Sequence, residues 1–132
     1  MFTELQAQQK IDWKVLSDVS FTEEYSDELA SYIMIPDFGP KVKALEGKKV
    51  LISGYMIPLD VEQNQYVLSA NPFASCFFCG NAGPETVMDI IFTSKKKLRT
   101  DEYVSVAGVL KLNTRDIYHL NYILEEAELV KQ

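Results

Sequence analysis

From Lys48 onward the chain repeats with a period of two, and that period decides most of what it can become. The runs "KKVLISGYMIPL" (48–59), "QYVLSA" (65–70), "TVMDIIF" (86–92), "YVSVAGVLKL" (103–112) and "IYHLNYILEEAELV" (117–130) each predict a β-strand with one face to bury. In the fourth run Val104, Val106, Leu110 and Leu112 share a face, with Gly108 between them. Gly54 inside the first run predicts a bulge, and Pro58 falls near its end. In the last run the alternation shifts near Glu125 and Glu126, which predicts a bend or bulge there. Five strands left as an open sheet expose two edges, and closing them into a small barrel removes both. An open meander or a sandwich of the same strands is the alternative.

The residues before this region are less regular. Trp13, Val15, Leu16, Val19 and Phe21 fit neither a helical nor a strand period and read as extended, packed chain. "TEEYSDEL" (22–29) reads as a solvated helical turn or loop, and "ASYIMIP" as a short strand that Pro36 stops. "GPKVKALEGKK" predicts one short helix over about 40–46: Pro40 suits its first position, Val42 and Leu45 share a face, and Gly47 suits its end. The expectation is a single domain, with an N-terminal arm over 1–46 and a barrel over 47–132.

Charge narrows the partners. The net charge is −6, from 19 acidic and 13 basic residues, so the summed field repels phosphates and anionic membranes. No apolar run approaches the roughly 20 residues of a membrane-spanning helix. A protein or small-molecule partner is expected, and nucleic acid is not. The opening "MFTELQAQQKIDW" has neither a basic nor an apolar region of the kind that starts an export signal, so the sequence alone fits a cytoplasmic protein unless such a signal has been removed.

The segments from "GKKVLISGYM" to "EEAELV" resemble the five-stranded oligonucleotide/oligosaccharide-binding (OB) barrel. Four pieces, "DWKVL", "IPDFGPKVKALEGKKVLISGYMIPL", "CFFCGNAGPE" and "YVSVAGVLKL", are similar to the bacterial family known as domain of unknown function 3299, small proteins that are commonly exported. The resemblance implies an exported, periplasmic binding module and brings no established activity or substrate with it.

The chemistry that stands out is "CFFCGNAGPE" (76–85), which holds the chain's two cysteines. Cys76-x-x-Cys79-Gly80 is the sequence of a zinc knuckle, and a structural zinc needs four ligands. In an OB-like barrel the third and fifth strands lie parallel, so His119, placed just past the start of the fifth strand, would begin at the same end as the cysteines. Glu85, or the knuckle of a second subunit in a homodimer, would complete the set with Cys76, Cys79 and His119. The plainer reading of His119 is a half-buried strand residue between Tyr118 and Tyr122. The cysteines have two rival readings. A redox dithiol needs a helix N-terminus to lower the thiol pKa, and Gly80, Gly83 and Pro84 stand where it would be. A Cys76–Cys79 disulfide would lock the loop as a recognition surface. The plainest reading is a hydrophobic plug in which Phe73, Phe77 and Phe78 surround two small apolar residues and the loop folds over one barrel end.

Elsewhere the signals are thinner. Lys95, Lys96, Lys97 and Arg99 form a basic run that suits a solvated connection or an acidic ligand. "LDVEQNQ" and "NTRD", the loops with which an OB barrel would grip nucleic acid, are acidic and nearly neutral. No nucleophile elbow, phosphate loop or zinc-protease motif is present, and a pairing of either cysteine with His119 lacks an orienting third group. The expected function is a non-enzymatic binding module.

Overall fold

Closure of the sheet rests on one long strand that changes partner halfway. The protein is described by a computed structural model over residues 8–77, 80 and 82–130. It runs β1 (Gln9–Lys10), α1 (Trp13–Leu16), β2 (Val19–Ser26), β3 (Ser31–Phe38), α2 (Pro40–Lys43), β4 (Lys49–Asp60), β5 (Gln65–Ser69), β6 (Val87–Phe92), β7 (Tyr103–Leu112) and β8 (Tyr122–Val130). Short 3₁₀ turns at Phe73–Ser75 and Pro84–Thr86 interrupt the connection between β5 and β6. β4 pairs with β7 from Lys49↔Val109 to Tyr55↔Tyr103, then with β5 from Tyr55↔Ser69 to Asp60↔Gln65. The circuit β4–β5–β6–β8–β7 returns to β4, with β6 and β8 parallel. This is the closed OB-like barrel that the five alternating runs predict.

Gly54 is not a bulge. Its pairing with β7 is unbroken, and the register shift in β4 falls between Pro58 and Asp60. The glycine is needed because a Cβ there would stand 2.6 Å from the Ser69 carbonyl oxygen, where β4 swings from β7 to β5. The irregularity expected near Glu125 and Glu126 is present: the register of β7 on β8 slips between Ala107 and Val109, and Glu126 takes a left-handed φ of 52°. Gly108 faces this extra residue, and a Cβ on it would lie 2.7 Å from the Glu125 carbonyl oxygen.

The arm is more ordered than its sequence suggests. β2 and β3 form a hairpin of eight residue pairs from Val19↔Phe38 to Ser26↔Ser31, so residues 22–26 are strand rather than a helical turn. Pro36 does not stop β3, which continues to Phe38. A two-stranded ribbon leaves half of its N–H groups outside the ladder, and a residue without an N–H is compatible with such a position. α1 is capped by Asp12, whose carboxylate accepts the Val15 N–H at 3.0 Å. α2 starts at Pro40 as expected and stops at Lys43, three residues early; the chain then turns through Gly47, whose φ is +80°.

These pieces share one core with the barrel. Ile11, Leu16, Phe38, Val42 and Leu45 of the arm pack with Ile52, Met56, Leu68, Met88, Val106, Leu110 and Leu124 of the barrel interior. Tyr122 joins the two, for its buried hydroxyl donates to the Leu16 carbonyl at 2.5 Å. Burial pushes the Tyr122 phenol pKa well up, and the nearby Glu85 and Asp18 carboxylates push it further. The phenol therefore stays protonated, and keeps donating, at pH values where an exposed tyrosine ionises.

Candidate functional site

The cysteine loop lies on the outside of the barrel. Cys76 is fully buried, yet its neighbours are Ile57, Val67 and Val87, which point outward from β4, β5 and β6. Phe77 and Leu120 pack on this second cluster, apart from the main core. Cys76 and Phe77 thus pad the barrel wall rather than plug one end, because inward positions on these strands are already filled by Met56, Leu68 and Met88. Phe78 and Cys79 lie outside the described residues, and so does the Cys76–Cys79 pairing.

His119 is not on a strand. β8 begins at Tyr122, and residues 113–121 form a loop that the Asn113 side chain closes. Its amide nitrogen donates to the carbonyls of Asp116, His119 and Leu120 at 2.8, 3.1 and 3.1 Å, and its oxygen accepts the Asp116 N–H at 3.0 Å. These bonds replace the ladder that "IYHL" would otherwise extend. The loop is pinned to the barrel by Asp89, whose Oδ2 accepts the Leu120 N–H at 2.8 Å and lies 3.4 Å from His119 Nδ1. Glu85 sits in the turn before β6, its carboxylate against Gly83 and close to Tyr122. Among the described residues no three His, Cys, Asp or Glu side chains converge as a metal site would need. No helix among them is long and apolar enough to cross a membrane.

What the fold does bring together is a groove of about 430 Å³ along the outer face of β5 and β6. Leu59 and Ile91 supply apolar surface, Gln63 and Gln65 supply amides, and Asp89 and His119 face them from β6 and the 113–121 loop. Leu59 and Ile91 are half exposed, an unusual condition for large aliphatic side chains on a closed barrel, and Tyr118 stands at the rim with most of its ring in solvent. The loops bounding the groove are braced. Asn64 donates to the Ser94 carbonyl at 3.1 Å and accepts the Lys96 N–H at 2.9 Å. Arg115 forms a bidentate pair with Glu24 of the hairpin at 2.7 and 3.3 Å, and Tyr118 Oη meets Glu28 at 3.3 Å. The hydrogen bonds and charge of Arg115 hold Glu24 below the usual carboxylate range.

Of the groove residues, the sequence singles out His119 by itself, and Leu59, Gln63, Asn64 and Gln65 only as part of the loop "LDVEQNQ". The signal that could have found others was "MDIIF", where alternation puts both Asp89 and Ile91 on the outward face, so an aliphatic side chain is spent on solvent.

Strand order and the parallel β6–β8 pair define the class as an OB-like barrel, with a groove on its second and third strands. Its structure is similar to the crystal structure of a DUF3299 family protein from Pseudomonas aeruginosa, with a TM-score of 0.60 and 12% sequence identity over 96% of this chain and 99% of that one. At that identity the likeness shows a shared fold, in agreement with the resemblance carried by the four sequence segments. No family model matches the sequence, and no curated protein does.

Proposed function

We propose that this protein is a non-enzymatic binding module whose recognition surface is the groove on β5 and β6, and that its ligand is neutral rather than polyanionic. The observation that carries this reading is the groove's place and lining. It occupies the face, between the 61–64 and 113–121 loops, through which OB-like barrels take their ligands, and among the described residues no lysine or arginine lines it. Amides, one carboxylate and an aliphatic floor suit hydrogen-bonding groups on an apolar frame; a nucleic acid strand needs cations. The reading is tested by amide chemical-shift mapping with neutral oligosaccharides, short uncharged peptides and oligo-dT. Neutral ligands are expected to shift Gln65, Asp89, Ile91 and His119, and Ile91→Arg, which fills the floor from a half-exposed position, is expected to abolish those shifts while leaving the fold intact. Shifts confined to another face, or binding of oligo-dT alone, would refute it.

A second reading is a zinc site formed by Cys76, Cys79, His119 and Glu85. Its support is the packing of Leu120 on the cluster that holds Cys76, which sets the histidine-bearing loop against the cysteine loop. Thiolate and imidazole donors suit zinc. Metal analysis of purified protein is expected to find about one zinc per chain or per dimer. Loss of zinc in Cys79→Ser with retention in His119→Ala would remove the histidine from the set, and metal-free protein with two titratable thiols would end the reading.

A further inference from the structure

We propose that the protein associates with a second copy of itself, each hairpin seating in a basic pocket of the other copy. The two surfaces are complementary in charge and in shape. Between Lys14 and Lys41 the chain has no lysine, arginine or histidine, but it has Asp18, Glu23, Glu24, Asp27, Glu28 and Asp37. The hairpin made from this stretch is anchored at its base, where Phe38 enters the core, and toward its tip meets the 113–121 loop through Glu24 and Glu28. Directly opposed pairs share a face, so Glu23/Met34 and Tyr25/Tyr32 lie together. Tyr25, Leu29, Tyr32 and Met34 are between 48% and 67% exposed, although Tyr25 and Tyr32 already meet edge to face at 5.3 Å. Four large side chains beside exposed carboxylates form an apolar projection with an acidic rim.

The counterpart lies in the connection between β6 and β7. Val61 and Leu98 floor a concavity of about 480 Å³, flanked by Lys97 and Arg99 and closed by Glu102, whose Oε1 accepts the Arg99 N–H at 3.1 Å. This connection is held in place from below, since Tyr66 Oη donates to the Lys96 carbonyl at 2.8 Å and accepts the Leu98 N–H at 3.1 Å. A concave, basic, apolar-floored surface thus exists ready-made on a chain whose net charge is −6.

One chain cannot satisfy itself. The basic connection enters β7 at Tyr103, whereas the hairpin is tied through Arg115 and Tyr118 to the loop that leaves β7 at Leu112. Ten residues of strand separate those ends by about 30 Å. Two copies side by side and antiparallel bring each hairpin to the other's pocket, and the same pair of surfaces is then used twice in a closed two-fold dimer. Association of this kind is weakened by salt and by charge reversal on either surface.

Sedimentation velocity over a concentration series tests it. Dimer is expected at about 50 mM salt and is expected to weaken at least about tenfold at about 500 mM. Glu23→Lys with Asp27→Lys on the hairpin, or Lys97→Glu with Arg99→Glu on the pocket, should each give monomer, all four positions being exposed. The decisive arm mixes the two double variants in equal amounts. In the mixed dimer one contact keeps its native charges and the other has both signs reversed, so dimer should return near the wild-type concentration, a result that misfolding of either variant cannot produce. Wild-type monomer throughout the series, no rescue on mixing, or species growing beyond a dimer would overturn the proposal.

Discussion

Replacing Gly108 with valine is expected to destabilise the barrel by about 3 kcal/mol, measured as a fall in the urea midpoint at unchanged slope. A Cβ at this position meets the Glu125 carbonyl oxygen at 2.7 Å, Leu124 Cγ at 2.8 Å and Ala127 Cα at 3.3 Å. Two of these contacts are backbone atoms of β8, so relief requires β7 and β8 to move apart at the seam where Glu126 is already an extra residue. The strain is spatial and not conformational, for Gly108 has no left-handed φ. Gly47→Ala supplies the contrast. Gly47 has a φ of +80°, and a Cβ added to it would meet nothing within 4 Å, so the cost is conformational and about 1 kcal/mol. A Gly108→Val cost below that of Gly47→Ala would mean that β7 and β8 are not tightly coupled at the bulge.

The barrel was legible because its strands obey one rule. Each has one face in a core, and burial forces alternation; even the irregularity at Glu126 shows as a break in that alternation. The hairpin escaped because only its base is buried. Val19 and Phe21 are too few to set a period, Ile35 is buried opposite an exposed Thr22, and "TEEYS" has no apolar period to read. Side-chain bonds also override the strand pattern at 117–120, where the Asn113 amide takes up the His119 and Leu120 carbonyls and Asp89 takes the Leu120 N–H. The groove is illegible for a third reason. Its residues come from 59–65, from outward positions of β6 and from a loop, and no periodicity within one segment marks surfaces that only closure of the barrel brings together. The cysteine loop was legible as an apolar cluster, although not as one on the outer wall, because the sequence does not say which face of β4, β5 and β6 has room for it.

Truncation of Leu16 to alanine is the second large effect, with an expected loss of about 3 kcal/mol. Leu16 ends the four-residue helix α1, too short to be stable by itself, and its side chain is fully buried in the cluster shared by arm and barrel. Removing it opens a cavity where Phe38, Val42 and Tyr122 meet the barrel interior, and the backbone carbonyl that accepts the Tyr122 hydroxyl remains. Tyr122→Phe asks the complementary question, keeping the packing and orphaning that carbonyl, at a cost of about 1–2 kcal/mol. The two sites touch, so the double variant is expected to depart from the sum of the single costs. If the arm were only draped over a barrel that is stable without it, Leu16→Ala would cost well under 1 kcal/mol and the two changes would add. A large, coupled loss would instead make residues 8–46 part of the barrel's own core, and truncation to the five-stranded region would then be expected to leave a chain that cannot fold.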